Sequence, residues 1–275
     1  FAGREAQQFG IDISDSEADL YSDVTSYIRN TYAAAEPDKK KAVGFLMSTY
    51  LKILASSPFA IYQSLGKRLE KLKQQRADVD NAPRSSRVNS EWRESDTQEW
   101  VEQLDHVVSI DGLDLEIAEL ELLHKRLGDA EDSKLYEFLS VIKRLREEEP
   151  ETKIVVFTTY LNTQSYLEHN LRDELSIEVE TFHGSLSLEQ KELAIRKFRE
   201  SSPILISSEA GGEGRNLQFA SVIVNYDLPW NPMKVEQRIG RLDRRGQSHR
   251  VRVVNLFRRG TIEERVHNVL HDRIK

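Results

Sequence analysis

The chain has 275 residues, 31% of them charged and 39% hydrophobic, and a formal net charge of -7. This composition suits a soluble globular protein of one large domain or two modest ones. It excludes a membrane-spanning stretch, because no run approaches eighteen or so consecutive apolar residues; the opening FAGREAQQFG lacks the charged and apolar regions of a signal peptide. Cysteine is absent, which removes disulfides and thiolate metal sites and is compatible with a reducing cytoplasm.

The first residue is Phe1 rather than Met, so a fragment of a longer chain is expected. Residues 14–127 are predicted to be helical. Ser14 with Glu17 three residues later makes a capping box, followed by Leu20, Val24, Tyr27 and Ile28 at helical spacing. KKAVGFLMSTYLKILASS is a second helix, stopped near Ser57 by Pro58, and FAIYQSLGKRLEKLKQQ is a third. NAPRSSRVNSEWRESDTQEW is polar and irregular and is expected to be a mobile loop, placed at about 81–112. Leu113, Ile117, Leu120, Leu123 and Leu127 mark the next amphipathic helix, and Leu135, Phe138, Leu139, Ile142 and Leu145 one more.

The pattern changes at Pro150. KIVVFTTY is a continuous apolar, β-branched run, as in a strand buried on both faces. A helix from Asn162 to Leu175, the strand IEVETFHG and the helix SLEQKELAIRKF follow, with Ser187 and Gln190 as capping box. PILISSEAGGEG gives a third strand and a glycine-rich loop, SVIVNYDLP a fourth strand, MKVEQRIGRLDR a helix and VRVVNLF a fifth strand. Such alternation predicts an α/β fold with a mostly parallel sheet flanked by helices. Ligands then gather at the carboxyl ends of the strands, where Thr158, Thr159, Gly184, Ser207, Ser208 and the DLPWNP loop fall.

There is no G-x-x-x-x-G-K-[ST] phosphate loop, no G-x-S-x-G elbow and no histidine cluster with metal spacing, so no metal ligands are assigned. The acidic run at Asp129–Asp132 does not follow a strand, which speaks against a magnesium-binding box. His183 sits beside Gly184 at a strand end, as a site residue or as a polar cap on that strand. Basic residues concentrate between Asn231 and Gly260, in EQRIGRLDRRGQ above all, although the total charge is negative. On a helix, Arg241 and Arg244 share a face, and paired guanidiniums suit a phosphate. Gly240 costs such a helix ~1 kcal/mol relative to alanine, which suggests close approach of another backbone or a ligand. Taken alone, the segment is better read as a solvated basic face paired with acids elsewhere.

The ordered motifs VVFTTY, TFHGSLS, SSEAGGEGRNLQFA, DLPWNP and EQRIGRLDRRGQ resemble those of the second RecA-like lobe of superfamily-two helicases and translocases. They are most similar to the Swi/Snf-type branch and its bacterial RNA-polymerase-associated ATPases. The resemblance is strong over Lys153–Leu270 and weaker before it. It implies a helical linker and protrusion region over 1–130 and a RecA-like lobe over 131–275, with GTIEERVHNVL as the closing brace helix.

The resemblance further implies an ATP-dependent double-stranded DNA translocase. ATP and magnesium are bound mainly by an N-terminal RecA-like lobe that this chain does not contain. Arg241 and Arg244 match the arginine fingers, and Gln237, Gly214, Asn216 and Glu213 fall near the nucleotide. Arg238 is assigned a structural pairing with an acid. Thr158, Thr159, Gly184, Ser185, Ser207 and Ser208 become a track for the DNA backbone, though each alone is equally an ordinary turn or cap. Trp230 either stacks on a base or packs beneath the last motif, and Arg215 replaces an apolar residue of many eukaryotic relatives. The implied partners are duplex DNA, the N-terminal lobe, and RNA polymerase or another nucleoprotein, with a cytoplasmic, nucleoid-associated location and no membrane. The alternatives are a strand-separating DNA or RNA helicase and a non-catalytic binding module on the same shell.

Overall fold

A computed structural model describes residues 5–34, 40–81, 110–208, 217–229, 231–242 and 251–274. The chain divides into two compact units: Phe1–Ser14, Ala55–Ser57 and Asp132–Lys275 form one, Asp15–Leu54 and Pro58–Glu131 the other.

The second unit is helical. Helices α1 (Asp15–Ala34), α2 (Lys40–Ser56), α3 (Pro58–Asn81) and α4 (Ile110–Gly128) supply it, α2 reaching two residues into the first unit. Pro58 ends α2 and opens α3, where its missing N–H costs nothing. Leu20, Val24, Tyr27 and Ile28 of α1 are all buried, as the helical spacing requires. So are Leu113, Leu120, Leu123 and Leu127 of α4. A buried ion pair sits inside this unit: Arg68 Nη2 lies 2.5 Å from Glu116 Oε1, which also accepts from the Tyr27 hydroxyl at 2.8 Å. Burial pushes the phenol of the neighbouring Tyr50 up to about 12. The predicted mobile loop falls almost wholly on residues 82–109, outside the described residues.

The first unit is a six-stranded sheet with helices on both faces. Its elements in chain order are β1 (Glu5–Ile11), α5 (Ser133–Glu148), β2 (Ile154–Phe157), α6 (Leu161–Leu175), β3 (Val179–Phe182), α7 (Leu188–Glu200), β4 (Ile204–Ser207), β5 (Val222–Asn225), α8 (Pro232–Ile239), β6 (Arg252–Arg258) and α9 (Ile262–Ile274). Strand order is β1-β6-β5-β2-β4-β3 and every pairing is parallel. Alternate residues of the central strands go to opposite faces. Ile154, Val156, Ile204, Ile206, Val222 and Val224 pack with residues of α5 and α6. Val155, Phe157, Leu205 and Ile223 pack with α7, α8 and Val266 of α9. Two covered faces are why IVVF and PILI are unbroken apolar runs.

Two features differ from the sequence reading. Residues 5–11, given no element there, form edge strand β1 against β6, from Glu5 opposite Arg252 to Ile11 opposite Arg258. Helix α8 ends at Ile239, before Arg241, rather than continuing into the arginine cluster. Gly240 is the C-cap, in ordinary right-handed backbone at φ −62° and ψ −10°. Arg241 N and Leu242 N then bond back to Arg238 O and Ile239 O, a tightened last turn. A Cβ on Gly240 would meet the Glu236 carbonyl oxygen at 3.3 Å, so the close neighbour is its own helix.

Candidate functional site

Register places one row of small polar residues along the carboxyl edge of the sheet. Phe157 pairs with both Ser207 and Asn225, and Phe182 pairs with Ser207. The residues just beyond these, Tyr226–Asp227, Thr158–Thr159, Ser208 and His183–Ser185, therefore leave the sheet side by side. Neighbouring strands are ~4.8 Å apart, so four strands spread this row over roughly 14 Å. Gln164 of α6 secures the row from below, its amide donating to Ile206 O at 2.7 Å and Phe182 O at 3.4 Å.

The predicted residues share this edge but not the same accessibility. Gly184 and Ser185 are exposed and Thr159 is half-buried, whereas Thr158, Ser207 and Ser208 are buried. The Thr158 hydroxyl donates to Asp227 Oδ2 at 2.6 Å, and the Thr159 amide donates to the same oxygen at 2.9 Å. The Ser207 hydroxyl donates to Ser208 O at 3.0 Å. His183 Nδ1 is 2.8 Å from the Ser185 hydroxyl, and Lys191 donates to Gly184 O at 3.0 Å. The row thus offers the exposed Gly184–Ser185 turn and the half-buried Thr159, while the Thr158 hydroxyl, bonded to Asp227, and the Ser208 amide, bonded to Phe182 O, join neighbouring strand ends.

Helix α8 starts with Pro232 after the Asn231 cap, whose side chain accepts from Met233 N. Arg238 points inward and is 2% exposed. It donates to Asn225 Oδ1 at 2.7 Å and Asp227 O at 3.0 Å, with its guanidinium 4.9 Å from the centre of the Phe157 ring. Asn225 in turn donates to Asn255 Oδ1 at 2.7 Å. Arg238 therefore fastens α8 to the end of β5 through an amide and a carbonyl oxygen, and to β2 through the Phe157 ring. Gln237, one residue before, is exposed. Arg241 is half-buried just past the helix end, its guanidinium 6.0 Å from the Phe157 ring centre, which brings a permanent cation to the same edge.

Behind the row lies an ionic cluster that sequence reasoning missed. Lys134, in the first turn of α5, is 0% exposed. Its ammonium donates to Glu263 Oε1 at 2.6 Å and Ala55 O at 3.3 Å, and lies 3.6 Å from Asp227 Oδ1. Glu263 Oε2 accepts from Arg258 N at 3.1 Å. The Arg258 side chain donates to Asp132 Oδ1 at 2.6 Å, the oxygen that also caps α5 by accepting from Leu135 N. Burial raises the Glu263 carboxyl to about 7, against the lowering effect of Lys134. Burial also holds the phenol of Tyr226, whose ring lies 4.6 Å from the Lys134 ammonium, well above its usual range. Nothing in the sequence marked it: DSKL opens an amphipathic helix, where a lysine is ordinarily exposed.

Glu213, Gly214, Arg215, Asn216, Trp230 and Arg244 lie outside the described residues. The helical face shared by Arg241 and Arg244 does not form over Arg241, since α8 has ended.

Residues 133–246 match the family described as helicase conserved C-terminal domain. This stretch is a helicase C-terminal domain. A Bacillus subtilis (strain 168) protein named uncharacterized ATP-dependent helicase YqhH is 29% identical over 271 residues, covering 98% of this chain and 40% of that protein. The RNA polymerase-associated protein RapA of Serratia proteamaculans (strain 568) is 42% identical over 105 residues, 37% of this chain and 11% of RapA. The chain therefore spans well under half the length of these relatives. Among solved structures, the Sulfolobus solfataricus SWI2/SNF2 ATPase core in complex with dsDNA superposes with a TM-score of 0.61 at 19% identity, over 98% of this chain and 44% of that one. The helicase C-terminal domain here thus has the RecA-like fold found in Swi/Snf-type ATPases. Among the described residues, no helix is long and apolar enough to cross a membrane.

Proposed function

We propose that this chain is the second lobe of a Swi/Snf-type, ATP-driven translocase on duplex DNA. The observation that carries the reading is the position of Arg241, half-buried against Phe157 beside the row formed by Thr159, Gly184 and Ser185. A nucleotide phosphate and a nucleic-acid backbone can each be served from one edge of one lobe. The name ATP-dependent helicase carried by the Bacillus relative and the duplex bound by the Sulfolobus core are consistent with it.

ATP, held with magnesium by a phosphate loop on another lobe, supplies the phosphoryl group whose transfer to water drives the cycle. The half-buried guanidinium of Arg241 fits a phosphate, since it keeps its charge at any working pH and donates in a planar fork. Arg241 and Arg244 act as arginine fingers that neutralise charge developing on the phosphoryl oxygens. Gln237, Glu213, Gly214 and Asn216 line the nucleotide side of the lobe interface. Arg238 holds the finger-bearing turn against the sheet through Asn225 and Asp227. Thr159, Gly184 and Ser185 offer backbone amides and hydroxyls to phosphates, which positions DNA without reading its sequence. Thr158, Ser207 and Ser208 act from within, by fixing the strand ends. Cyclic closing and opening of the lobes then moves the duplex without separating its strands. RNA polymerase, suggested by the RapA likeness, or another nucleoprotein is the proposed target, in the cytoplasm at the nucleoid.

The test compares stimulation of ATP hydrolysis in the full-length protein by duplex DNA, single-stranded DNA and RNA. Strong stimulation by duplex with no strand separation is expected. Preference for single strands or RNA would favour the strand-separating alternative, and hydrolysis indifferent to all three a non-catalytic or protein-directed role.

A further inference from the structure

We propose that Lys134 is a positioning residue for the strand-end row, acting through Asp227 on the Thr158 hydroxyl and the Thr159 amide. The first half of this inference rests on geometry alone. Its consequence for DNA rests on the translocase reading above.

Asp227 lies two residues beyond the end of β5 and connects that strand to the loop after β2. Its Oδ2 is committed twice, to Thr158 Oγ1 and Thr159 N. Among the described residues its Oδ1 has no hydrogen bond, and it faces the Lys134 ammonium at 3.6 Å. At that distance the attraction is ionic rather than a hydrogen bond. It is strong because Lys134 is 0% exposed and Asp227 5% exposed, with little water to screen them. The ammonium is itself fixed by Glu263 Oε1 and Ala55 O, so it is a rigid charge rather than a mobile one. Asp227 is thereby gripped on one side by a fixed cation while its other side orients the Thr158–Thr159 backbone.

The charges in the cluster are unequal. Lys134 and Arg258 face Asp132, Asp227 and Glu263, two cations against three carboxylates. Arg258 is drawn to Asp132, its side chain lying 2.6 Å from Oδ1. Removing Lys134 therefore takes the salt-bridging cation from both Glu263 and Asp227, leaving Glu263 the charge of Arg258. A buried carboxylate without its counter-charge either takes a proton or turns toward water. For Asp227, turning away releases Thr158 and Thr159 from their shared acceptor.

A purely structural lysine and a positioning lysine predict different behaviour in the double variant Lys134→Met/Glu263→Gln. This pair removes one cation and one anion together, so global stability recovers much of what Lys134→Met alone loses. Asp227 still lacks its cation. Amide hydrogen exchange of the full-length protein, without nucleotide or DNA, reads the Thr159 amide directly, whereas the Thr158 amide bonds Ser207 O. Exchange at Thr159 is expected about tenfold faster in the double variant than in the wild type, with protection of β2 and β4 interiors unchanged. Asp227→Asn, nearly isosteric, provides the same reading if the double variant does not fold: it retains an acceptor for Thr159 but loses the attraction to Lys134, and the same acceleration is expected. Wild-type exchange at the Thr159 amide in either folded variant overturns the proposal.

ATP hydrolysis by the same proteins, titrated with duplex DNA, supplies the second readout. The duplex concentration for half-maximal stimulation is expected to rise about tenfold while the rate at saturating duplex changes little. Faster exchange with an unchanged duplex requirement upholds the positioning role of Lys134 and removes the row from the DNA track.

Discussion

Lys134 Nζ lies 2.6 Å from Glu263 Oε1, a residue 129 positions further along the chain, and both are buried. The pair ties the first turn of α5 to the first turn of α9, and Asp227 joins the same ammonium from the end of β5. Breaking it from one side should be costly. Lys134→Met is expected to lower unfolding free energy by roughly 3–5 kcal/mol, because it leaves buried carboxylates uncompensated. Denaturant unfolding of Lys134→Met and of Lys134→Met/Glu263→Gln measures this, and the double variant should be the more stable of the two.

The same cluster gives a pH dependence with a defined sign. Glu263 is raised from 4.5 to about 7 in the folded state, by burial first, with Lys134 and Arg258 opposing and Asp227 reinforcing. Between those two values the folded state holds a proton that the unfolded state has released. The contribution of Glu263 to stability therefore falls as pH rises from about 4.5 to about 7 and is level above that. Its full extent is up to roughly 3 kcal/mol. Unfolding free energies measured from pH 5 to pH 8 should show this downward component in the wild type and lack it in Glu263→Gln.

Arg238 and Arg241 sit three residues apart and should fail differently. Arg238→Ala removes buried bonds to Asn225 and Asp227 and is expected to cost about 3 kcal/mol of stability. Arg238→Lys should recover only part, since an ammonium does not reproduce the fork or the stacking on Phe157. Thermal unfolding of the two variants is the check.

The capping box at α7 serves as a control. Ser187 Oγ accepts from Gln190 N at 3.2 Å and Gln190 Oε1 accepts from Ser187 N at 2.9 Å. Ser187→Ala is expected to cost about 1 kcal/mol in denaturant unfolding and to leave duplex-stimulated hydrolysis unchanged.

Ser185 tests the proposed DNA track. Its loss as Ser185→Ala should weaken duplex binding by about fivefold, the worth of one hydrogen bond. The slope of log affinity against log salt should not change, because a hydroxyl releases no counterions. Binding titrations at several salt concentrations separate this from loss of a phosphate-neutralising lysine or arginine.

The central strands were legible because both faces are covered: Ile154–Phe157 and Ile204–Ile206 had to be apolar throughout. The row at their carboxyl ends followed from the same alternation of strand and helix. Edge strand β1 was not legible. Its sequence EAQQFGI carries two glutamines, and an edge needs only Phe9 and Ile11 to meet the core. Nor was the end of α8, because helical spacing continues through QRIGRL while the last turn tightens to i−3 bonds from Arg241 N and Leu242 N. The ionic cluster was invisible for a different reason. Lys134, Asp227 and Glu263 are far apart in sequence, and each has the composition of an ordinary surface position.

The split-site account also predicts that the 275-residue chain on its own does not hydrolyse ATP, which a phosphate-release assay of the purified chain checks. Its central claim is that Arg241 faces a nucleotide rather than DNA. The most direct measurement is ATP hydrolysis and duplex affinity, side by side, for Arg241→Ala in the full-length protein. The account predicts a loss of hydrolysis on the order of 10³-fold or more, with duplex affinity and unfolding temperature close to wild type. Retained hydrolysis with weakened duplex binding would contradict it, and would return the arginine segment to the role of a basic DNA-binding face.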